Sequence, residues 1–464
     1  MNRDLRLKPF HVGSHQGHRY VINIEDMETH SIDEKTAELL WQLLDNGDSF
    51  WKSPNIEPLK TLGLLSNKRK HAARKRPKDP VPIINAAFFL TQSCNLRCVY
   101  CYGAGGEYGH KGNMAEKTAF QAVDWLIEQS GKVKKIQIGF FGGEPFLNFP
   151  LMKKIVDYAR ERTHAVQKDV GFYATTNGTL LEKEQIDFIQ DHKIWVMISF
   201  DGPREIQDAQ RPFSGGKGSY DAIVPKIKHL LAIRPETPGH AVIMGDTDPR
   251  VIKESLREIG FANVSISPAS DCMLTCDAKK PNSGRNLRNV FKTLEEEADT
   301  WLTGIKTRDT QTLEELKKSS NLYHGLIVFA HNRKKIFPCG AGLGFVGISS
   351  TGDVYLCHRF VGMDAYRLGN IFDGHMDRDD FLESPTAFVK ECNNCPARYF
   401  CAGGCKYDNA ASTGSVFKPP LEMCHLCRQG FELGAYVSSR LDREDRTFLR
   451  EERIVPPKFC PLDF

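Results

Sequence analysis

No apolar run in this 464-residue sequence reaches the length of a membrane span. Its start, Met1-Asn-Arg-Asp-Leu-Arg6, lacks the apolar core of a secretory signal. These absences argue against a membrane or exported protein and point to the cytoplasm. The net charge of +4 is too small to imply nucleic-acid binding. No heptad pattern argues for a coiled coil, so oligomeric state stays open. Cysteine, by contrast, is plentiful. Fourteen of them in a reducing compartment, where disulfides are rare, point to bound metal.

The first cluster is Cys94-Asn-Leu-Arg-Cys98-Val-Tyr-Cys101, a C-x3-C-x2-C spacing. It follows the apolar run Ala86–Leu90, which reads as a buried strand, so the thiols belong on the loop at its C-terminal end. In α/β barrels that end carries the chemistry. Three thiolates can hold three irons of a [4Fe–4S] cluster and leave the fourth open. A zinc knuckle would want a fourth nearby Cys or His, and His110 lies outside the usual spacing.

From about residue 84 to 275, strands and helices alternate. Strands are expected at Ala86–Thr91, Lys135–Phe141, Gly171–Thr176, Trp195–Phe200, Gly239–Met244 and Asn263–Ser267. Helices are expected at Ala115–Gln129, Leu151–Thr163, Glu182–Gln190, Tyr220–Arg234 and Pro249–Ile259. This order gives an α/β fold with a parallel sheet, a partial (β/α)6 TIM-type barrel. Loops after these strands carry further polar motifs. Gly142-Gly143-Glu144-Pro145 follows the second strand, with glycines that allow close backbone approach and a carboxylate suited to a cationic amine. Asn177-Gly178 shapes the turn after the third. Ser199-Phe-Asp201-Gly202 ends the fourth, and Arg211 follows.

The cysteine motif and these loops, in this order, resemble the radical SAM superfamily. The resemblance implies a [4Fe–4S] cluster on Cys94, Cys98 and Cys101 that reduces S-adenosylmethionine (SAM) to a 5′-deoxyadenosyl radical. It implies that Gly142, Gly143 and Glu144 receive the SAM amino group, that Ser199 and Asp201 meet the ribose, and that Arg211 pairs with the carboxylate. Asn177 belongs to the same set. Tyr100 takes the family's aromatic position beside adenine, and Ala241-Val-Ile-Met-Gly245 resembles the strand packed on it. Asp201 can instead cap a turn, and Tyr100 can instead pack in the core.

The C-terminal third carries the second cluster of cysteines. Cys339 is followed by x12-Gly352-x4-Cys357, then Cys392-x2-Cys395-x5-Cys401-x3-Cys405, then x18-Cys424 and Cys427. Gly352-Asp353 reads as a hairpin turn that brings Cys339 and Cys357 onto neighbouring segments. The pattern resembles the SPASM extension of radical SAM maturases, whose cysteines hold two auxiliary clusters; paired C-x2-C units also suit zinc. The resemblance implies an outer cluster on Cys392, Cys395, Cys401 and Cys424, and an inner one on Cys339, Cys357 and Cys405. Three [4Fe–4S] clusters are thus expected. The inner set is one ligand short. Either an iron stays open for a substrate thiolate or Cys427 completes the set. Asp408, three residues after Cys405, is the candidate proton acceptor, or a turn cap. A second pair, Cys272 and Cys276, is as consistent with structural thiols as with substrate handling.

The expected organisation has four parts. Residues 1–80 hold a small α+β unit and a basic linker, 81–280 the barrel, 281–335 a helical bridge and 336–464 the cysteine-rich SPASM extension. In the first part, His18–Ile24 reads as a strand and Glu34–Leu44 as a helix capped by Ser31 or Asp33. It resembles the leader-peptide-binding element of peptide maturases, or is a plain extension. The chain is most similar to the thioether-forming branch, which includes the maturase of quinohemoprotein amine dehydrogenase and the ranthipeptide maturases. That implies Cys sulfur-to-carbon crosslinks in a peptide or small-subunit substrate. It also implies an electron donor of the reductase, flavodoxin or ferredoxin class. The alternative is oxidation of Cys or Ser to formylglycine, as by anaerobic sulfatase maturases; a zinc-stabilised binding scaffold is the non-enzymatic alternative.

Overall fold

The computed structural model describes residues 6–46, 56–66, 81–274 and 287–456. The basic run 67–78 and Cys276 lie outside the described residues. The strands in chain order are β1 (Arg6–Leu7), β2 (Phe10–His15), β3 (His18–Asn23), β4 (Glu28–Ile32), β5 (Leu65–Ser66), β6 (Asn85–Thr91) and β7 (Lys135–Gly142). They continue with β8 (Asp169–Thr176), β9 (Trp195–Ser199), β10 (Gly239–Ile243), β11 (Val264–Pro268), β12 (Phe345–Ile348), β13 (Asp353–Tyr355) and β14 (Arg367–Asn370).

Strands β6 to β11 pair in parallel in sequence order, with helices between them, as in a partial TIM-type barrel. The apolar run of β6 is buried from Ala86 to Thr91, as a central parallel strand should be. Strands β8, β9 and β10 alternate instead. Phe172, Ala174, Val196, Ile198, Ala241 and Ile243 are buried in the main core. Their neighbours Tyr173, Thr175, Met197, Ser199, His240 and Val242 line the central cavity. The helices Glu116–Gln129 and Phe149–Ala165 bury Trp125, Leu126, Met152 and Ile155 in the core on which the sheet packs. One helix, Arg204–Gln210, was not among the expected elements; its seven residues are too few to show a helical period.

The sheet does not end at β6. Strand β12 adds in parallel to its outer edge, pairing Val346 with Ala86, and β13 and β14 continue antiparallel to give nine strands. The C-terminal third is therefore hydrogen-bonded into the barrel sheet. Between β12 and β13, Gly352 takes the positive φ of 89° that this turn requires. Helices Arg288–Thr307, Thr310–Ser319 and Tyr323–Ala330 fill the segment before it.

At the N-terminus, β2, β3 and β4 form an antiparallel sheet with helix Glu34–Asn46. The Asp33 carboxylate accepts the Thr36 N–H at 2.8 Å, so Asp33 rather than Ser31 caps the helix. Phe10, Val12, Val21, Leu40 and Leu43 make a local core. Tyr20, Ile22 and Met27 join the main core instead. The sheet also packs against the C-terminal helix Leu421–Ser439: the His15 ring meets Tyr436 at 4.6 Å, and Thr29 donates to the Ser438 hydroxyl at 3.1 Å. The unit is thus docked rather than free-standing. Among the described residues, no helix is long and apolar enough to cross a membrane.

Candidate active site

Parallel pairing brings the C-terminal ends of β6 to β11 to one rim. There the residues after each strand surround a cavity of about 510 Å³, a size suited to a nucleoside-sized ligand. Cys94, Cys98, Cys101, Tyr100, Gly142, Gly143, Glu144, Asn177, Ser199 and Arg211 all line it.

The glycines of Gly142-Gly143 serve a purpose closer to hand than ligand approach. A Cβ on Gly142 would meet the Thr91 carbonyl oxygen at 2.0 Å, and one on Gly143 the Ser93 oxygen at 2.1 Å. The N–H groups of Gly143 and Glu144 donate to those two oxygens at 3.0 Å each. The motif fastens the cysteine loop to β7. From the other side Gly106, at φ 87°, lies against Cys94, where a Cβ would meet the Cys94 Cβ at 2.6 Å.

Glu144 is fully buried. Burial pushes its carboxyl up to about 7, against the pull of N–H donors from Asn177 and Phe146 and the Thr176 hydroxyl. Asn177 holds Asn95 in the cysteine loop at 2.9 Å, with its amide 3.7 Å from the Cys94 sulfur. Across the cavity, Arg211 pairs with the buried Asp201 at 3.0 Å and lies 3.9 Å from the Cys98 sulfur. Asp201 also accepts the Tyr100 hydroxyl at 2.5 Å and the Val242 N–H at 3.0 Å. Its acceptor positions are thus filled by protein donors, and it is absent from the cavity lining. Desolvation pushes the Cys94 thiol up to about 12 and Cys98 to about 11, so a metal must displace their protons.

The C-terminal cysteines divide between two places. Cys392, Cys395, Cys401, Cys424 and Cys427 line a second cavity of about 280 Å³. The Cys427 thiol donates to Cys401, drawing the Cys401 pKa down. Cys427 therefore stands with the outer set. Cys339 and Cys405 instead lie near Cys357, whose buried thiol is pushed up to about 12 by desolvation. Only three residues separate Cys401 from Cys405. The chain can divert between them because Ala402, Gly403 and Gly404 all have positive φ, while the Asn409 amide pins the Gly403 oxygen at 2.7 Å.

Asp408 forms a two-pronged ion pair with Arg359, at 3.2 and 3.3 Å. Arg359, not Asp408, is the member of the pair that lines the cavity of Cys94, Cys98 and Cys101. His358 and Tyr102 line it too; the half-buried His358 ring packs against Phe141 and Phe345, and desolvation lowers its pKa to about 3. Cys272 gives its thiol to the Tyr102 carbonyl at 3.3 Å and lines neither cavity. Tyr102, His240, His358 and Arg359 were not singled out in the sequence. His240 follows from the alternation of β10, but the others meet only through tertiary packing.

The family model of the Radical SAM superfamily matches residues 88–259, which contain every cavity residue named from Cys94 to Val242. Residues 88–259 form a radical SAM domain. Relatives extend the likeness over most of the chain. The cysteine-type anaerobic sulfatase-maturating enzyme of Clostridium perfringens (strain 13 / Type A) is 24% identical over 76% of this chain and 95% of its own length. The antilisterial bacteriocin subtilosin biosynthesis protein AlbA of Bacillus subtilis (strain 168) is 25% identical over 78% of this chain and 76% of its own. The solved structure of native anSMEcpe with bound AdoMet and Cp18Cys peptide shares the fold, with a TM-score of 0.63 at 19% identity. It covers 78% of this chain and 100% of that one. A radical SAM domain uses a [4Fe–4S] cluster and SAM. The donor set fits both: three soft thiols share one loop, and a carboxylate and a guanidinium line the cavity beside them.

Proposed function

We propose that this chain is a radical SAM maturase that joins cysteine sulfur to carbon within a peptide or small protein subunit, as in quinohemoprotein amine dehydrogenase maturation. The observation that carries the reading is the division of the C-terminal thiols. Cys339, Cys357 and Cys405 stand together, while Cys427 stands with Cys401 in the outer cavity. Three thiols around an inner [4Fe–4S] cluster leave room for a fourth, and a soft substrate thiolate suits it.

When bound, a cluster on Cys94, Cys98 and Cys101 supplies the electron that cleaves SAM and starts hydrogen abstraction. The chain's own residues do the rest. Glu144 and Arg211 present opposite charges to the two ends of an amino acid. Asp201 fixes Arg211 and Tyr100. The aromatic wall of Tyr102, Phe141 and Phe345 holds water away from the reacting carbon. Joining sulfur to carbon removes two hydrogens from the peptide, so the product side needs an electron acceptor and a proton acceptor. Auxiliary clusters, which the inner and outer thiols would hold, would supply the first role. The electron would leave them for a carrier of the flavodoxin or ferredoxin class, and an external donor of the flavodoxin, ferredoxin or reductase class would reduce the cluster on Cys94, Cys98 and Cys101 for the next turnover. Asp408, ion-paired with Arg359 beside Cys405, is the carboxylate suited to the second role. The N-terminal sheet offers β4 as an edge for a leader peptide to join.

Formylglycine formation is the second reading, favoured by the likeness to the sulfatase-maturating enzyme. About a fifth of the present chain has no counterpart in the anSMEcpe structure. The test is anaerobic turnover of the holoenzyme with SAM, dithionite and a cysteine-containing peptide encoded beside it. Free thiol falling in step with 5′-deoxyadenosine supports the proposal; 5′-deoxyadenosine formed with all thiols still free opposes it.

A further inference from the structure

Arg359 joins the two cysteine systems. It follows Cys357 by two residues, yet it lines the cavity of Cys94, Cys98 and Cys101. Its Nη1 donates to the Cys405 sulfur at 3.4 Å, and both Nη groups hold Asp408. Two aromatic rings flank it, Tyr407 at 4.1 Å and Tyr102 at 4.9 Å from the guanidinium carbon. Tyr102 directly follows Cys101, and Tyr407 lies two residues after Cys405. Each motif thus contributes a ring to the cation between them. The rings are held in turn: Tyr407 accepts the Met273 N–H, and the Tyr102 carbonyl accepts the Cys272 thiol, both at 3.3 Å.

This is more than a surface ion pair needs. Arginine stays charged in proteins, and a fixed cation that donates to a cluster-ligating sulfur stabilises the reduced, more negative cluster. Asp408 opposes it with the contrary charge and fixes its orientation. We infer that Arg359 and Asp408 together set the reduction potential of the cluster at Cys339, Cys357 and Cys405, Arg359 raising it and Asp408 moderating it. Arg359 is thereby a positioning residue that poises this cluster to take the electron released beside the cavity. The inference rests on the reading of those three thiols as a cluster site.

The test is an EPR-monitored redox titration of anaerobically reconstituted full-length protein, with iron and sulfide measured in each variant. Cys339→Ala identifies the inner signal by removing it. Arg359→Gln should lower the midpoint potential of that signal, Arg359→Lys should lower it less, and Asp408→Asn should raise it. Opposite signs for the two partners are the signature, because a merely structural role would shift both alike. If Arg359→Gln fails to load, Arg359→Lys and Asp408→Asn decide. Potentials that stay put, or move in one direction for both partners, overturn the inference while leaving the cluster reading intact. A Cys339→Ala variant that keeps the full iron and sulfide content overturns the reading, and the inference with it.

Discussion

The Asp201 carboxylate accepts the Tyr100 hydroxyl at 2.5 Å and holds Arg211 at 3.0 Å, deep inside the barrel rim. One side chain, itself outside the cavity, thereby sets two that line it. Arg211 in turn stacks over the Tyr100 ring at 5.3 Å. The three form a buried unit spanning the cysteine loop, the end of β9 and the helix after it.

Replacing Asp201 with Ala should therefore leave a buried guanidinium without its charge partner. The expected cost is about 3–5 kcal/mol of stability. Chemical denaturation should show it, and SAM binding should weaken in the same variant because Arg211 loses its aim. Asp201→Asn, which keeps an oxygen acceptor, should lose less.

Glu144 predicts a pH dependence. Its folded-state pKa of about 7 lies above the ordinary 4.5. A raised carboxyl pKa favours folding while the group is protonated. That contribution is fully present below about 4.5 and is lost as pH rises through about 7, on the order of 3 kcal/mol in all. Urea unfolding of the SAM-free protein at several pH values should show wild type losing ground to Glu144→Gln as pH rises. A constant difference between the two would show that burial does not govern this carboxyl.

The barrel was legible because its strands are apolar runs followed by turn residues, and because parallel pairing sends all their ends to one rim. The cysteine loop and its glycines were legible as motifs, although Gly142 and Gly143 bind backbone to backbone before any ligand arrives. What was not legible depends on distant segments meeting. Strand β2 carries His11, Gly13 and Ser14 amid its apolar residues, which blurs the alternation. The pairing of β12 with β6 joins residues some 260 positions apart. Arg359 reads as an ordinary basic residue until Tyr102 and Tyr407 enclose it.

The placement of Cys427 gives a third prediction. If Cys339, Cys357 and Cys405 hold the inner cluster as proposed, Cys427→Ala should leave its iron in place and should perturb the outer site through Cys401. Mössbauer spectra of Cys427→Ala beside Cys339→Ala would check this. Loss of the inner cluster from Cys427→Ala would show that Cys427 completes it.

Helix Leu421–Ser439 carries Cys424 and Cys427 near its start and Tyr436 near its end. Tyr436→Ala should empty the seat of His15, His18 and Tyr20, at a cost of about 3 kcal/mol. Hydrogen exchange should rise in β2 to β4 while SAM cleavage without peptide continues. If peptide turnover also survives unchanged, docking of the N-terminal sheet has no part in substrate capture.

The most direct test of the thioether assignment is the mass of the product. The chain would be expressed with each short cysteine-containing reading frame encoded beside it, and each peptide weighed and fragmented after thiol alkylation. Thioether formation predicts a loss of two hydrogens per modified cysteine, protection of that cysteine from alkylation, and a fragment that maps the sulfur to a side-chain or backbone carbon. An aldehyde in place of the thiol, or SAM cleavage with every peptide mass unchanged, would contradict it.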